Sequence, residues 1–123
     1  MAWDLSSDRP IYTQILEKIQ TRIIAGIYKP GERLPSVREL AAEASVNPNT
    51  MQKAFTELER SCLIQTQRNS GRTVTEDISM IKQIQTQVAL SQVQSFFNTM
   101  MELGFNKEEI LAFVKEAMEE GAE

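Results

Sequence analysis

The sequence predicts an α+β protein: an N-terminal winged helix-turn-helix of three helices and a β-hairpin over residues 1 to 76, and an all-helical, two-helix dimerisation tail over residues 77 to 123. Three observations predict it. Apolar residues recur at helical spacing in three separate bursts up to Ser61. Two short β-branched, Thr-rich runs follow around a polar break at Arg68-Asn69-Ser70-Gly71, and helical periodicity resumes after Asp77.

The first helix is read from Ile11, Ile15, Ile19 and Ile23, which recur every four positions with Leu16, Ile24 and Ile27 beside them. Pro10 suits its first turn and Gly26 the left-handed position past its end. Lys29-Pro30-Gly31 reads as a tight turn, because proline fixes one central dihedral and glycine supplies the other. Ser36-Val37-Arg38-Glu39 is a capping box: the serine hydroxyl can accept from the Glu39 amide while the Glu39 carboxylate reaches back. The short second helix it starts should bury Val37, Leu40, Ala41 and Ala44. Asn47-Pro48 then supplies a cap and a first-turn proline for a third helix, with Met51, Ala54, Phe55, Leu58 and Cys62 on one side. Leu63 to Gln67 and Arg72 to Thr75 form the hairpin with a positively charged tip. In the tail, one long helix ends at Gly104 and a last one is capped at Asn106 and carries Ile110, Leu111, Val114 and Met118. The long helix bears two offset apolar series, Ile81, Ile84, Val88 and then Leu90, Val93, Phe97, Met100. One face is expected to pack on the last helix and the other on a second subunit.

Composition limits the chemistry. The chain has 41 % hydrophobic and 24 % charged residues, the balance of a folded protein with a core. No run reaches the roughly 18 apolar residues of a membrane span, and the polar start lacks the apolar stretch of a signal peptide, so a cytoplasmic protein is expected. With no histidine and one cysteine, an internal disulfide is ruled out and most metal and triad chemistry disfavoured. Cys62, on an apolar helical face, is expected to be buried and inert. The methionines Met100, Met101 and Met118 read as core filling. No cofactor is expected.

The net charge of −4 conceals a division. Residues 1 to 76 hold 10 Lys or Arg against 9 Asp or Glu, a balance of +1; residues 77 to 123 hold 3 against 8, a balance of −5. Only the first part suits a phosphate surface. On the solvent side of the third helix, Asn47, Asn49, Thr50, Gln52 and Lys53 cluster in the first two turns, with no carboxylate from Asn47 to Thr56. Amides and hydroxyls can donate and accept at base edges in the major groove, and lysine can neutralise phosphate or donate to guanine. Arg33, Ser36 and Arg38 bracket the start of the second helix, a suitable seat for a phosphate. At the hairpin, Arg68 and Arg72 can reach the flanking minor groove or backbone, and Gly71 permits close approach.

The runs Gly31-Glu32-Arg33-Leu34-Pro35-Ser36-Val37-Arg38-Glu39-Leu40-Ala41 and Val46-Asn47-Pro48-Asn49-Thr50-Met51-Gln52-Lys53-Ala54-Phe55-Thr56-Glu57-Leu58-Glu59 resemble the DNA-binding domain of GntR-type bacterial regulators. Pro10-Ile11-Tyr12, Gln14-Ile15 and the Asn-Pro-Asn-Thr start of the third helix are similar to the small YtrA-like subfamily. The resemblance covers residues 9 to 76 and extends weakly to the end. It implies a homodimer on a palindromic double-stranded operator, with Arg38, Asn47, Asn49, Thr50, Lys53 and Gly71 where relatives touch DNA. Two positions depart from the pattern: Cys62 stands where a glycine often follows the recognition helix, and Arg72-Thr73-Val74 replaces the usual wing ending. The expected function is a transcriptional regulator, a repressor by occupation of a promoter site. Any small-molecule effector would act by changing the spacing of the two heads. A protein-binding adaptor is the competing reading. An enzyme is disfavoured, because the chain offers no histidine, no glycine-rich phosphate loop and no nucleophile with an obvious partner.

Overall fold

The isoleucine stripe winds into α1, Ile11–Ile24, and buries Ile15, Ile19 and Ile23 on one face. The computed structural model describes residues 3–69 and 71–121. After α1 come α2 (Val37–Ala44), α3 (Pro48–Arg60), β1 (Ile64–Gln67), β2 (Gly71–Val74), α4 (Ile78–Glu102) and α5 (Lys107–Gly121). Two compact units divide the chain, Met1–Gln85 and Thr86–Glu123.

In the first unit, α1 and α2 both pack on α3. Leu40, Ala41 and Ala44 from α2 meet Met51, Ala54, Phe55 and Leu58 from α3, closed by Leu63, Ile64 and Val74 from the hairpin. Val37 is only half-buried at the edge of this core. Full burial of a side chain such as Phe55 or Leu58 stabilises by about 1.5 to 3 kcal/mol each. The first turns of α4 join the same core, with Ile81 buried and Met80 and Ile84 packed against it. So do Trp3 and Leu5, ahead of the first helix. Gln14 ties this leading segment down: its carboxamide accepts from the Ser6 amide at 2.7 Å and donates to the Ser6 and Arg9 carbonyls.

Helix ends repeat one device. After α1, α2, α3 and α4 the chain turns through a residue of positive φ, namely Gly26, Ser45, Cys62 and Gly104. At α3 the Leu63 amide donates to the Leu58 carbonyl at 3.2 Å and the Cys62 amide to the Glu59 carbonyl at 3.0 Å, the hydrogen-bond pair of a Schellman stop. This corrects the expectation for Cys62. It lies past the helix at φ +70 and is exposed, because the left-handed turn swings it off the apolar face that Leu58 continues. Ile27 is likewise exposed, carried off the α1 stripe by the turn at Gly26.

The wing is more than a hairpin. β1 and β2 pair antiparallel with Ile64 opposite Val74 and Gln67 opposite Gly71. Ser70, which the sequence reading places between the two strands, lies outside the described residues. On the other edge of β2 runs the segment 31–34: the Gly31 amide donates to the Val74 carbonyl, Val74 to Glu32, and Leu34 to Arg72, at 2.8 to 3.0 Å. The loop before α2 is thereby fastened to the wing.

In the second unit, Gly104 ends α4. Asn106 and Glu109 cap α5 reciprocally, each side chain accepting from the other's amide at 2.9 Å. Phe105 meets Phe113 edge to face at 4.9 Å between ring centres. Ile110 is buried and Val114 half-buried, while Leu90, Val93, Phe96, Met101, Leu103, Leu111, Phe113 and Met118 are exposed.

Candidate nucleic-acid interface

The site begins with a turn. Pro30 and Gly31, the latter at φ +79, reverse the chain so that the Glu32 amide donates to the Lys29 carbonyl at 2.9 Å, as expected of a Pro-Gly centre. The reversal lays Arg33 against β2, where it bridges to Thr73. Gly71, at φ +73, lies under the Arg33 side chain: a Cβ there would stand 3.7 Å from Arg33 Nε. Three residues after Arg33 the capping box forms as the sequence predicts. Ser36 Oγ accepts from the Glu39 amide at 3.1 Å, and the Glu39 carboxylate accepts from the Ser36 amide at 2.8 Å. That backbone hydrogen bond from Ser36, then its hydroxyl, holds the Glu39 carboxyl below the usual glutamate range.

These elements enclose an open cleft of about 310 Å³ between the start of α2, the flank of α3 and the wing. It gathers six of the sequence-selected residues: Arg33, Ser36, Arg38, Gln52, Gly71 and Arg72. Three of them carry guanidinium groups, and no lining residue is acidic. In a chain of net charge −4 this is a concentrated positive site, suited to a bound anion. Arg38 makes no ion pair among the described residues, although Glu39 and Glu43 lie on the same helix.

A second group stands at the start of α3. Asn47 caps the helix, its Oδ1 accepting from the Asn49 amide at 2.7 Å, which leaves its amide hydrogens as donors. Asn49 is exposed and Thr50 half-buried. Lys53 is exposed, with its ammonium 4.0 Å over the Tyr12 ring of α1. A cation held over an aromatic face at such a site gains roughly 0.5 to 1 kcal/mol, enough to favour one rotamer. Gln52 belongs to both groups and also donates to Thr56 Oγ1 at 3.3 Å.

The two wing arginines differ. Arg68 is exposed at the hairpin end. Arg72 is not at the tip: it sits across the ladder from Thr66, its Nε donates to Glu59 Oε1 at 3.2 Å, and its guanidinium lies 5.1 Å over the Phe55 ring. Sequence reasoning overlooked Tyr12 and Glu59 as partners of the cationic residues. Only the packing of α1 and the wing on α3 reveals them, since each partner is far away along the chain.

A separate polar cluster lies outside the cleft. The Trp3 indole donates to Glu43 at 2.7 Å, and Arg22 donates to Glu43 and to the Tyr28 hydroxyl while lying 4.7 Å over the Trp3 ring. The Trp3 hydrogen bond, then Arg22, holds the Glu43 carboxyl below its usual range. Burial alone would lower the Arg22 pKa, but the hydrogen bonds to Tyr28 and Glu43 outweigh it and the net shift is upward. Among the described residues no helix is long and apolar enough to cross a membrane.

Residues 11–74 match the profile of the bacterial regulatory proteins of the gntR family. The chain is 36 % identical over 115 residues to the uncharacterized HTH-type transcriptional regulator YhcF of Bacillus subtilis, covering 94 % of this chain and 95 % of that one. It is 47 % identical over 74 residues to the HTH-type transcriptional repressor YtrA of the same organism, across 60 % of this chain and 57 % of YtrA. Among solved structures, a GntR family transcriptional regulator from Listeria monocytogenes superposes with a TM-score of 0.85 at 43 % identity, over 91 % of this chain and 98 % of that one. The AraR DNA-binding domain in complex with operator ORX1 aligns with 61 % of this chain and 92 % of its own, with a TM-score of 0.53 and 28 % identity.

Proposed function

The chain belongs to the gntR family of bacterial regulatory proteins, with a winged-helix DNA-binding domain and YtrA-like relatives, and on that premise we propose that it is a cytoplasmic repressor that occupies a palindromic operator as a homodimer. In this reading residues 1 to 76 are the DNA-binding head and residues 77 to 123 the dimerisation tail. The observation that carries it is the cleft with three arginines and no acid beside a carboxylate-free start of α3.

Asn47, Asn49, Thr50, Gln52 and Lys53 enter the major groove and read base edges, since α3 presents donors and acceptors of both kinds there. Arg33, Ser36 and Arg38 seat a backbone phosphate at the start of α2, where the helix dipole adds to the guanidinium charge. Arg68, Gly71 and Arg72 bring the wing against the flanking backbone or minor groove. The exposed apolar residues of the second unit support pairing of two tails: among its described residues eight large side chains stand in water and one hydrophobe, Ile110, is buried. The YtrA relative is a repressor by name, which supports that sign of regulation.

Selection of duplexes from a random pool by the full chain tests the reading. Enrichment of an inverted repeat is expected. A pool that stays random through successive rounds would leave the protein-binding adaptor as the better account.

A further inference from the structure

Glu59 is an acid in the last turn of the helix assigned to DNA, a place where bare electrostatics would disfavour it. Its two oxygens are both engaged with the wing. Oε1 accepts from Arg72 Nε at 3.2 Å, and Oε2 accepts from the Thr66 hydroxyl. Thr66 and Arg72 face each other across the β1–β2 ladder, so one carboxylate grips both strands at the same rung. Beneath this contact the Arg72 guanidinium rests over Phe55, a fully buried core residue.

This arrangement fixes one end of the guanidinium and leaves the other open. Arg72 is held at Nε, and among the described residues neither of its terminal amino groups makes a hydrogen bond. Arg72 lines the arginine-bearing cleft, whereas Glu59 does not. A guanidinium pinned at Nε and stacked on an aromatic face has lost most of its rotamer freedom before any ligand arrives, so its remaining fork can engage an anion at a smaller entropic cost.

We infer that Glu59 is a positioning residue: it buttresses Arg72 so that the two terminal amino groups point into the cleft and engage a DNA phosphate. Arg72 contacts the phosphate, and Glu59 acts only through it. This rests on the DNA-binding reading given above, and it makes a prediction opposite in sign to simple charge counting. Removing a carboxylate beside a polyanion should strengthen binding by Coulomb's law. Removing a buttress should weaken it.

The test is a double-mutant cycle on a selected duplex with the full chain, read at several salt concentrations. Glu59→Ala should weaken binding about as much as Arg72→Ala, roughly five- to twentyfold, and each should lower the salt slope by about one phosphate contact. The pair of changes together should cost no more than Arg72→Ala alone. Glu59→Gln, whose amide oxygen can still accept from Arg72 Nε while its amide nitrogen donates to the Thr66 hydroxyl oxygen, should restore most of the affinity. A readout free of DNA accompanies it: the Arg72 Nε–H resonance should be protected from solvent exchange in the wild type and in Glu59→Gln, and unprotected in Glu59→Ala. Tighter binding by Glu59→Ala would overturn the inference. So would a further loss on adding Glu59→Ala to Arg72→Ala, since the carboxylate would then act on the wing without Arg72. If the wild-type chain shows no salt-dependent binding to any duplex, the DNA-binding reading itself fails and the inference with it.

Discussion

The two compact units share one helix, α4, and use it in opposite ways. At its start α4 gives Ile81 to the core of the first unit and lays Met80 and Ile84 against it. From Thr86 onward no residue of α4 is buried, and Leu90, Val93, Phe96 and Met101 stand in water. Among the described residues the first unit encloses its large apolar side chains apart from Ile27 and Ile78, whereas the second leaves most of its own exposed. A unit that folds for its own stability hides its large side chains; the outward ones of the second unit are what the proposed pairing would cover. The charges divide the same way, with the arginines around the cleft in the head and an excess of acids in the tail.

The sharpest way to break this comparison is to remove a large side chain that the head has enclosed. Phe55 is fully buried where α3 meets the wing, so Phe55→Ala is expected to cost about 3 to 5 kcal/mol, most of the stability of a small domain. Denaturant unfolding followed by circular dichroism measures it. A loss under 1 kcal/mol would mean that the head core is not what holds the unit together.

Next in size are the outward-facing cations. Lys53→Ala and Arg38→Ala should each weaken operator binding by about 1 to 3 kcal/mol for a lost base contact, or reduce mainly the salt slope for a lost phosphate contact. Arg38→Ala should leave the unfolding midpoint in place, since Arg38 is exposed, and Lys53→Ala should lower stability only by the roughly 0.5 to 1 kcal/mol of its contact with Tyr12. Titrations over a range of salt separate the two kinds of contact.

A smaller and opposite effect is expected at Cys62. A non-glycine residue at φ +70 carries a steric cost that glycine does not, so Cys62→Gly should stabilise the chain by about 1 kcal/mol and raise its melting temperature by several degrees. Thermal unfolding under reducing conditions measures it.

The smallest effect belongs to the leading segment. The Glu43 carboxyl is held below its usual range by Trp3 and Arg22, so its folded pKa lies beneath its unfolded one. It therefore contributes stability above the ordinary glutamate range, and that contribution disappears as pH falls through the lowered value. Trp3 is the chain's single tryptophan, so its fluorescence reports the release directly. Acidification should red-shift its emission with a midpoint below the ordinary glutamate range, and Glu43→Gln should remove that transition.

Much of the head is legible in the sequence because its signals are local. The Ser36 and Glu39 capping box, the Asn47-Pro48 start and the Pro30-Gly31 turn each depend on residues within one helical turn, and each forms as read. Glycine marks two of the four left-handed helix ends, at Gly26 and Gly104. Ser45 and Cys62 fill the other two, and the place of Cys62 is not legible because a non-glycine side chain gives no sign of positive φ and its spacing continues the apolar stripe. The features that escape are long-range. The pairing of 31–34 with β2, the attachment of Trp3 to Glu43 and Arg22, the ring of Tyr12 under Lys53 and the grip of Glu59 on the wing each join residues brought together only by tertiary packing. The candidate interface was legible as a set of residue types; its division into a cleft and a helix start was not.

The most direct test of the division of labour compares the full chain with one that ends at Gln85, the limit of the first unit, on a full palindrome and on a single half-site. The shortened chain keeps Ile81 and should fold, as a monomer by light scattering. Its affinity for the half-site should stay within about twofold of the full chain, while its affinity for the palindrome falls by a factor on the order of 100, because the two contacts are no longer linked. A shortened chain that remains a dimer and keeps full affinity for the palindrome would contradict the account and place the pairing surface in the head.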